Sequence, residues 1–338
     1  MTKPALCLHV GQHKTGSSAI QNYLFQHRDA LHNVQYLCRD RPNASLWMLQ
    51  AFKQDLGALP TYRHKALGDE RLAAVRSRAR RRLEDVLSGI TAPLAVLSAE
   101  SISLFTAEET QDLQAFLLPY FSTITVFQYV RPMKSRLESA FQEKLKRRYV
   151  ALDDPFTLNY FRRARVLARA FGRDNLRIFK FDSELFPRGD VVCHFLAQLG
   201  LPPPECSSGT DANLGLSLPA VQLLYAYRLV HRNRREHDAV IVERLAGLQG
   251  PPFRIHSELY REIIATTPRE RSKFEALAGF SLDEQIDADD AAAVRTEADL
   301  LEIPQHALDW LATELSDDDI DAVESGDRAA CVAALAGK

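Results

Sequence analysis

Eight consecutive residues near the start of the chain, Gly11-Gln12-His13-Lys14-Thr15-Gly16-Ser17-Ser18, combine two glycines, one lysine and three hydroxyl side chains. They follow a short apolar run, residues 5–10. They precede a segment, residues 17–27, with Ile20, Tyr23 and Leu24 at helical spacing. A strand, a tight loop and a helix in that order turn backbone N–H groups, the positive end of the helix and the lysine toward one point. That geometry holds phosphate or another tetrahedral anion. Gly11 and Gly16 permit the close backbone, and the hydroxyls add donors. The pattern is not a Walker A loop, which ends in Gly-Lys-Ser/Thr. It also lacks the three spaced glycines of a dinucleotide fingerprint.

A second pair belongs to the same chemistry. Arg131 closes the apolar run of residues 124–131, and Ser139 follows eight residues on in helical sequence. An arginine at the carboxyl end of a strand in an open α/β sheet faces the ligand crevice. A serine two helical turns later can reach the same space, and a guanidinium fork with a hydroxyl suits a dianionic phosphate. Residues 94–100 (LAVLSAE) end in a carboxylate, Glu100, placed either as a functional group or as a cap ahead of Ser101-Ile102-Ser103-Leu104. His9 lies within the first strand and reads as a packed histidine.

The elements that must position these residues alternate between short apolar runs and helical stretches, which favours a parallel sheet. Strands are expected at residues 5–10, 94–100, 124–131 and 176–181. Helices are expected at 17–27, at 65–88 with many arginines, at 107–118, from Pro132 to about Arg148, at 156–171, near 190–199 and at 218–236. Pro251-Pro252 breaks the chain, and 283–325 reads as acidic helices.

Composition sets the outer limits. The 338 residues are 46% hydrophobic and 25% charged, too apolar for a disordered chain and enough for a sizeable core. No run approaches a membrane span, and the first residues turn polar too early for a secretory signal, so a cytoplasmic chain is expected. Five cysteines at 7, 38, 193, 206 and 331 form no CxxC pair, which argues against a disulfide framework or a common structural zinc site. The net charge of −2 hides an asymmetry. Residues 281–338 hold sixteen acidic and three basic residues, and the remainder holds 28 acidic and 39 basic. A basic body suits an anionic ligand. Lys144, Lys146, Arg147 and Arg148 form one basic cluster, and Arg162, Arg163, Arg165 and Arg169 another. No nucleic-acid-binding module accompanies them.

The His-Lys-Thr-Gly-Ser-Ser run after the first strand resembles the phosphosulfate loop of sulfotransferases that use PAPS (3′-phosphoadenosine 5′-phosphosulfate). The histidine before the lysine is similar to the bacterial and carbohydrate-acting branch. Arg131 and Ser139, in Tyr129-Val130-Arg131-Pro132-Met133-Lys134-Ser135-Arg136-Leu137-Glu138-Ser139, resemble the family's 3′-phosphate ligands. The Asp often found between the Arg and the Pro is missing here. Weaker likeness extends over residues 4–220, through Leu176–Leu185 and the Phe195–Pro202 stretch. The resemblance implies that Gln12, His13, Lys14, Thr15, Gly16, Ser17 and Ser18 bind the donor's 5′ end, with Lys14 at the bridging oxygen and sulfuryl group. It further implies that Arg131 and Ser139 bind the 3′-phosphate and that Glu100 is the base, with His13 a rival. Phe181 would lie against the adenine or in the core. The family's Arg-Lys-Gly loop is absent, leaving Arg269, Arg271 and Lys273 as candidates to close over the nucleotide.

The expectation is therefore a P-loop-type three-layer α/β/α core over residues 1–220. A mostly helical C-terminal extension, 221–338, would be part of the same domain or a small acidic subdomain. The expected activity is PAPS-dependent transfer to a hydroxyl acceptor, a sugar of a bacterial glycan or glycolipid, with no metal, no nucleic acid and no transmembrane segment, and with adenosine 3′,5′-bisphosphate as product. The alternatives are a non-catalytic nucleotide-binding protein of the same fold and a P-loop nucleotide kinase. The kinase would need a Walker lysine and an acidic magnesium ligand where this chain has Gly16-Ser17 and Arg131.

Overall fold

The computed structural model describes residues 2–11, 15–65, 67–157, 159–203, 215–233, 235–264, 268–284, 292–315 and 327–337. In chain order the elements are β1 (Ala5–His9), α1 (Ser17–Gln26), β2 (Val34–Tyr36), α2 (Ser45–Phe52), α3 (Pro60–Arg63), α4 (Asp69–Ser88), β3 (Leu94–Ser98), α5 (Ala107–Leu117), β4 (Thr123–Val130) and α6 (Met133–Leu145). They continue with α7 (Tyr160–Phe171), β5 (Leu176–Lys180), α8 (Val191–Gln198), α9 (Leu218–Val230), α10 (Asp238–Leu245), α11 (Ser257–Ile263), α12 (Pro268–Ala278), α13 (Glu297–Leu301), α14 (Gln305–Glu314) and α15 (Arg328–Ala334). They divide into two compact units. One comprises residues 1–132, 159–212 and 268–282, and the other 133–158, 213–267 and 283–338. The second unit thus takes in α6, from inside the stretch read as core.

The first unit is built on one five-stranded sheet of order β2-β3-β1-β4-β5, parallel at every described pairing. Its central strands are apolar nearly throughout because both faces are covered. Odd-numbered residues Cys7, Phe127 and Tyr129 join Val96 in one cluster with Ile20 and Leu24 of α1 and Phe195 of α8. On the other face α7 lies against β4 and β5, α12 lies against β5, and α5, α2 and α4 continue the layer. Right-handed crossovers explain the division. The chain leaves β1 toward the β2 edge, so α1 lands on one face. Every later connection runs back toward β5, so α4, α5 and α7 land on the other. This is the P-loop-type α/β/α arrangement read from the sequence.

In the first unit β2, α2, α3 and α12 escaped that reading. β2 is a three-residue edge strand. α2, Ser-Leu-Trp-Met-Leu-Gln-Ala-Phe, is apolar almost all round and shows no helical period; Trp47, Met48, Ala51 and Phe52 are buried. The expected strands are also one or two residues shorter at their carboxyl ends, and Glu100 opens a 3-10 turn, Glu100–Leu104, rather than ending β3.

Among its described residues the second unit is helical apart from isolated bridges. Its core gathers Leu137, Phe141 and Leu145 of α6, most of α9, and apolar residues of α10, α14 and α15. Buried Arg228 of α9 organises one end. It donates to the Leu145 and Lys146 carbonyls at 2.8 and 2.7 Å, where α6 has run out of N–H partners. It also pairs with Asp238 at 2.8 Å. Burial alone would raise the Asp238 carboxyl, but bonds from Arg228, the Arg235 amide and Tyr227 outweigh it and hold it below the usual range. Cys7, Cys38 and Cys193 form no disulfide. No helix is long and apolar enough to cross a membrane, among the described residues.

Candidate functional site

The topology names the place. β1 and β4 are neighbours whose connections depart in opposite directions, and ligands in such sheets bind beyond the carboxyl ends of strands at that switch point. The loop after β1 and Arg131 after β4 flank it. β3, on the other side of β1, delivers Glu100.

Gly16 is the hinge of the loop. It sits at φ 70°, in the left-handed region, and its carbonyl accepts the Ile20 amide at 3.2 Å to start α1. A methyl group there would lie 2.6 Å from Val191 Cγ1 and 3.1 Å from Phe181 Cε2. The loop can therefore settle against α8 and the residue after β5 only because this position has no side chain. Gly11 has no positive φ but is crowded too: a methyl there would lie 1.9 Å from Ser17 Oγ and 3.5 Å from Glu100 Cγ. The loop's first residue, the first residue of α1 and the Glu100 side-chain methylene thus meet at one point. Thr15 and Ser17 are buried with their hydroxyl oxygens 3.5 Å apart, and Ser18 is exposed. Gln12, His13 and Lys14 lie outside the described residues.

Arg131 is half-buried, with its guanidinium carbon 4.8 Å from the centre of the Phe181 ring, the same ring that abuts Gly16. Its carbonyl accepts the Tyr160 hydroxyl at 2.6 Å, which ties the first residue of α7 to the end of β4. The structure therefore brings Gly16, Phe181 and Arg131 together on one side and Gly11, Ser17 and Glu100 on the other, all within the first unit. Phe181, read as either an adenine neighbour or core, is the shared contact. Ser139 lies on α6, half-buried, in the second unit.

Glu100 stands on a firmly held backbone. The Ala99 amide donates to the His9 carbonyl at 3.0 Å, and Ser103 Oγ donates to the Glu100 carbonyl at 2.7 Å. Ser101 is bound twice to Ser45, through its amide and its hydroxyl. Beneath these groups is a polar cluster not foreseen from the sequence. Ser98 Oγ lies 2.8 Å from His9 Nδ1 and accepts from Gln21 Nε2 at 3.0 Å. One hydroxyl thus links β3, β1 and α1, the elements that carry the carboxylate, the loop and the helix N-terminus. All three residues are buried, and burial pushes the His9 imidazole down to about 3, so it is neutral. Only the cross-strand register, which pairs His9 with Ser98, brings them together.

Among the described residues no three His, Cys, Asp or Glu side chains gather as a metal site. The residues present suit an anion: helix N-terminal amides, hydroxyls and an arginine.

The chain matches no family model and no curated protein. Among solved structures it is similar to the crystal structure of a sulfotransferase from Alicyclobacillus acidocaldarius. The identity is 15%, over 83% of this chain and 98% of that one, with a TM-score of 0.40.

Proposed function

We propose that the protein is a sulfotransferase that moves the sulfuryl group of PAPS to a hydroxyl of a carbohydrate acceptor. The observation that carries the reading is the convergence of Glu100 on the phosphate-type loop. The Glu100 methylene Cγ and the Ser17 hydroxyl both line the space a side chain on Gly11 would fill, so the residue that carries the candidate base and the anion cradle lie side by side. The Phe181-stacked Arg131 supplies the second cation site, for the 3′-phosphate. Ser139 would add its hydroxyl there, on sequence spacing alone.

In this reading the loop amides from Thr15 to Ser18 hold the 5′-phosphate, with Gln12 and His13 beside them. Lys14 offsets charge on the sulfuryl group and on the leaving phosphate. Glu100 takes the acceptor proton as the acceptor oxygen bonds to sulfur and the sulfur–oxygen bond to the 5′-phosphate breaks; adenosine 3′,5′-bisphosphate leaves. Fixed cations and amides suffice for the charge that develops.

The test is release of adenosine 3′,5′-bisphosphate from PAPS in the presence of a panel of neutral and acidic oligosaccharides. Glu100→Gln should lower turnover about 100-fold or more, the usual worth of a general base, with donor affinity unchanged. Turnover at the normal rate in Glu100→Gln would remove the carboxylate from the reaction and leave His13 as the base. No turnover with any acceptor, beside tight donor binding, would favour a non-catalytic nucleotide-binding protein.

A further inference from the structure

Two basic segments far apart in sequence form one face of the first unit. α7 carries Arg162, Arg165 and Arg169 exposed, at spacings of three and four residues that keep them on one stripe. α12 packs beside it and carries exposed Arg269 and Lys273. The half-buried Phe161 ring joins the two helices, with Arg165 Cζ 5.7 Å and Lys273 Nζ 5.6 Å from its centre. Among the described residues none of these five cations has an ion pair or a hydrogen bond. Other basic residues of the unit are committed: Arg80 to Asp112, Arg76 to the Lys53 and Gln54 carbonyls, and Arg271 to Glu275. α7 contains no acidic residue, and α12 exposes only Glu270. α4 also shows exposed arginines, but Asp69 and Glu70 at one end and Glu84 and Asp85 at the other flank them.

We infer that this α7–α12 face binds an anionic polysaccharide, as a docking surface for a charged stretch of the acceptor. The inference rests on the sulfuryl-transfer reading, because each transfer would add one negative charge to the acceptor. Helix rise places the three arginines about 4.5 and 6 Å apart along the axis, suited to a chain charged at each repeating unit. A membrane surface fits less well. No large apolar side chain of α7 or α12 is strongly exposed, and interfacial helices insert such side chains. A single-stranded nucleic acid would want several stacking rings, and Phe161 is one, half-covered. The face also leads away from the candidate site, since Tyr160 at the start of α7 holds the Arg131 carbonyl.

The probe is dextran sulfate against uncharged dextran, titrated into the full-length protein and into the triple variant Arg162→Ala/Arg165→Ala/Arg169→Ala at two salt concentrations. Wild type should bind dextran sulfate, more weakly at high salt, and ignore dextran. The variant should lose roughly tenfold in affinity, three exposed pairs at the usual worth of each. It should keep wild-type affinity for adenosine 3′,5′-bisphosphate. Equal dextran sulfate binding by the variant would overturn the inference. So would tighter binding of a single-stranded oligodeoxynucleotide or of anionic vesicles, or loss of bisphosphate binding in the variant, which would put these arginines in the donor site. A wild type that binds the polymer but not the bisphosphate would sink sulfuryl transfer, and the acceptor role with it.

Discussion

His9 shows how a single buried side chain couples stability to pH. Its imidazole stays neutral down to about pH 3 because burial disfavours the charged form, whereas in the unfolded chain it takes a proton near pH 6.5. Between these values the unfolded state binds more protons, so stability falls as pH falls through that window. The slope from this one group approaches about 1.4 kcal/mol per pH unit. Denaturant unfolding of wild type and His9→Gln from pH 7 to pH 4 should show a shallower loss in the variant. Parallel curves would mean that His9 does not carry the effect. Ser98→Ala should cost about 1–3 kcal/mol, because it strands the Gln21 amide and His9 Nδ1 in the interior; Ser98→Thr should recover part of it.

At the scale of elements the decisive piece is the turn from β1 into α1. Gly16→Ala places a side chain at positive φ and against Val191, which should destabilise the fold by roughly 1–3 kcal/mol and weaken anion binding; denaturant midpoints and donor titration would show both. Unchanged stability would mean the loop relaxes away from α8. Much of this was legible in the sequence. Two glycines flanking a lysine between an apolar run and a helical period mark the loop, and Arg131 at the end of a strand marks the second cation that the proposed site uses. The sheet is legible too, since buried parallel strands are apolar on both faces. β2 was not, because three residues at an edge leave no pattern. α2 was not, because its uncovered face carries Leu46 and Leu49 and so leaves little polar stripe. The contact of Phe181 with Gly16, and the bond of Tyr160 to Arg131, join residues 165 and 29 positions apart. No local periodicity encodes them.

At the scale of the whole molecule the chain separates a sheet-based unit, which holds the loop, Glu100 and Arg131, from a helical unit closed around Arg228. Asp238→Asn would leave the Arg228 charge buried without its counterion, at a cost of about 3–5 kcal/mol. Calorimetry should register this as a lower-melting transition, and an unshifted one would mean that the α6 carbonyls satisfy Arg228 unaided. The basic residues of α7 and α12 and the loop of the first unit point to anionic ligands of two kinds, a small phosphorylated donor and a charged polymer. The most direct test of the account is calorimetric titration with adenosine 3′,5′-bisphosphate, beside ATP with magnesium, on wild type and Arg131→Ala. Wild type should bind the bisphosphate tightly and ATP weakly, and the variant should lose about 2 kcal/mol or more, roughly thirtyfold, in bisphosphate affinity. Equal affinity for the two nucleotides, or a variant that binds like wild type, would contradict it.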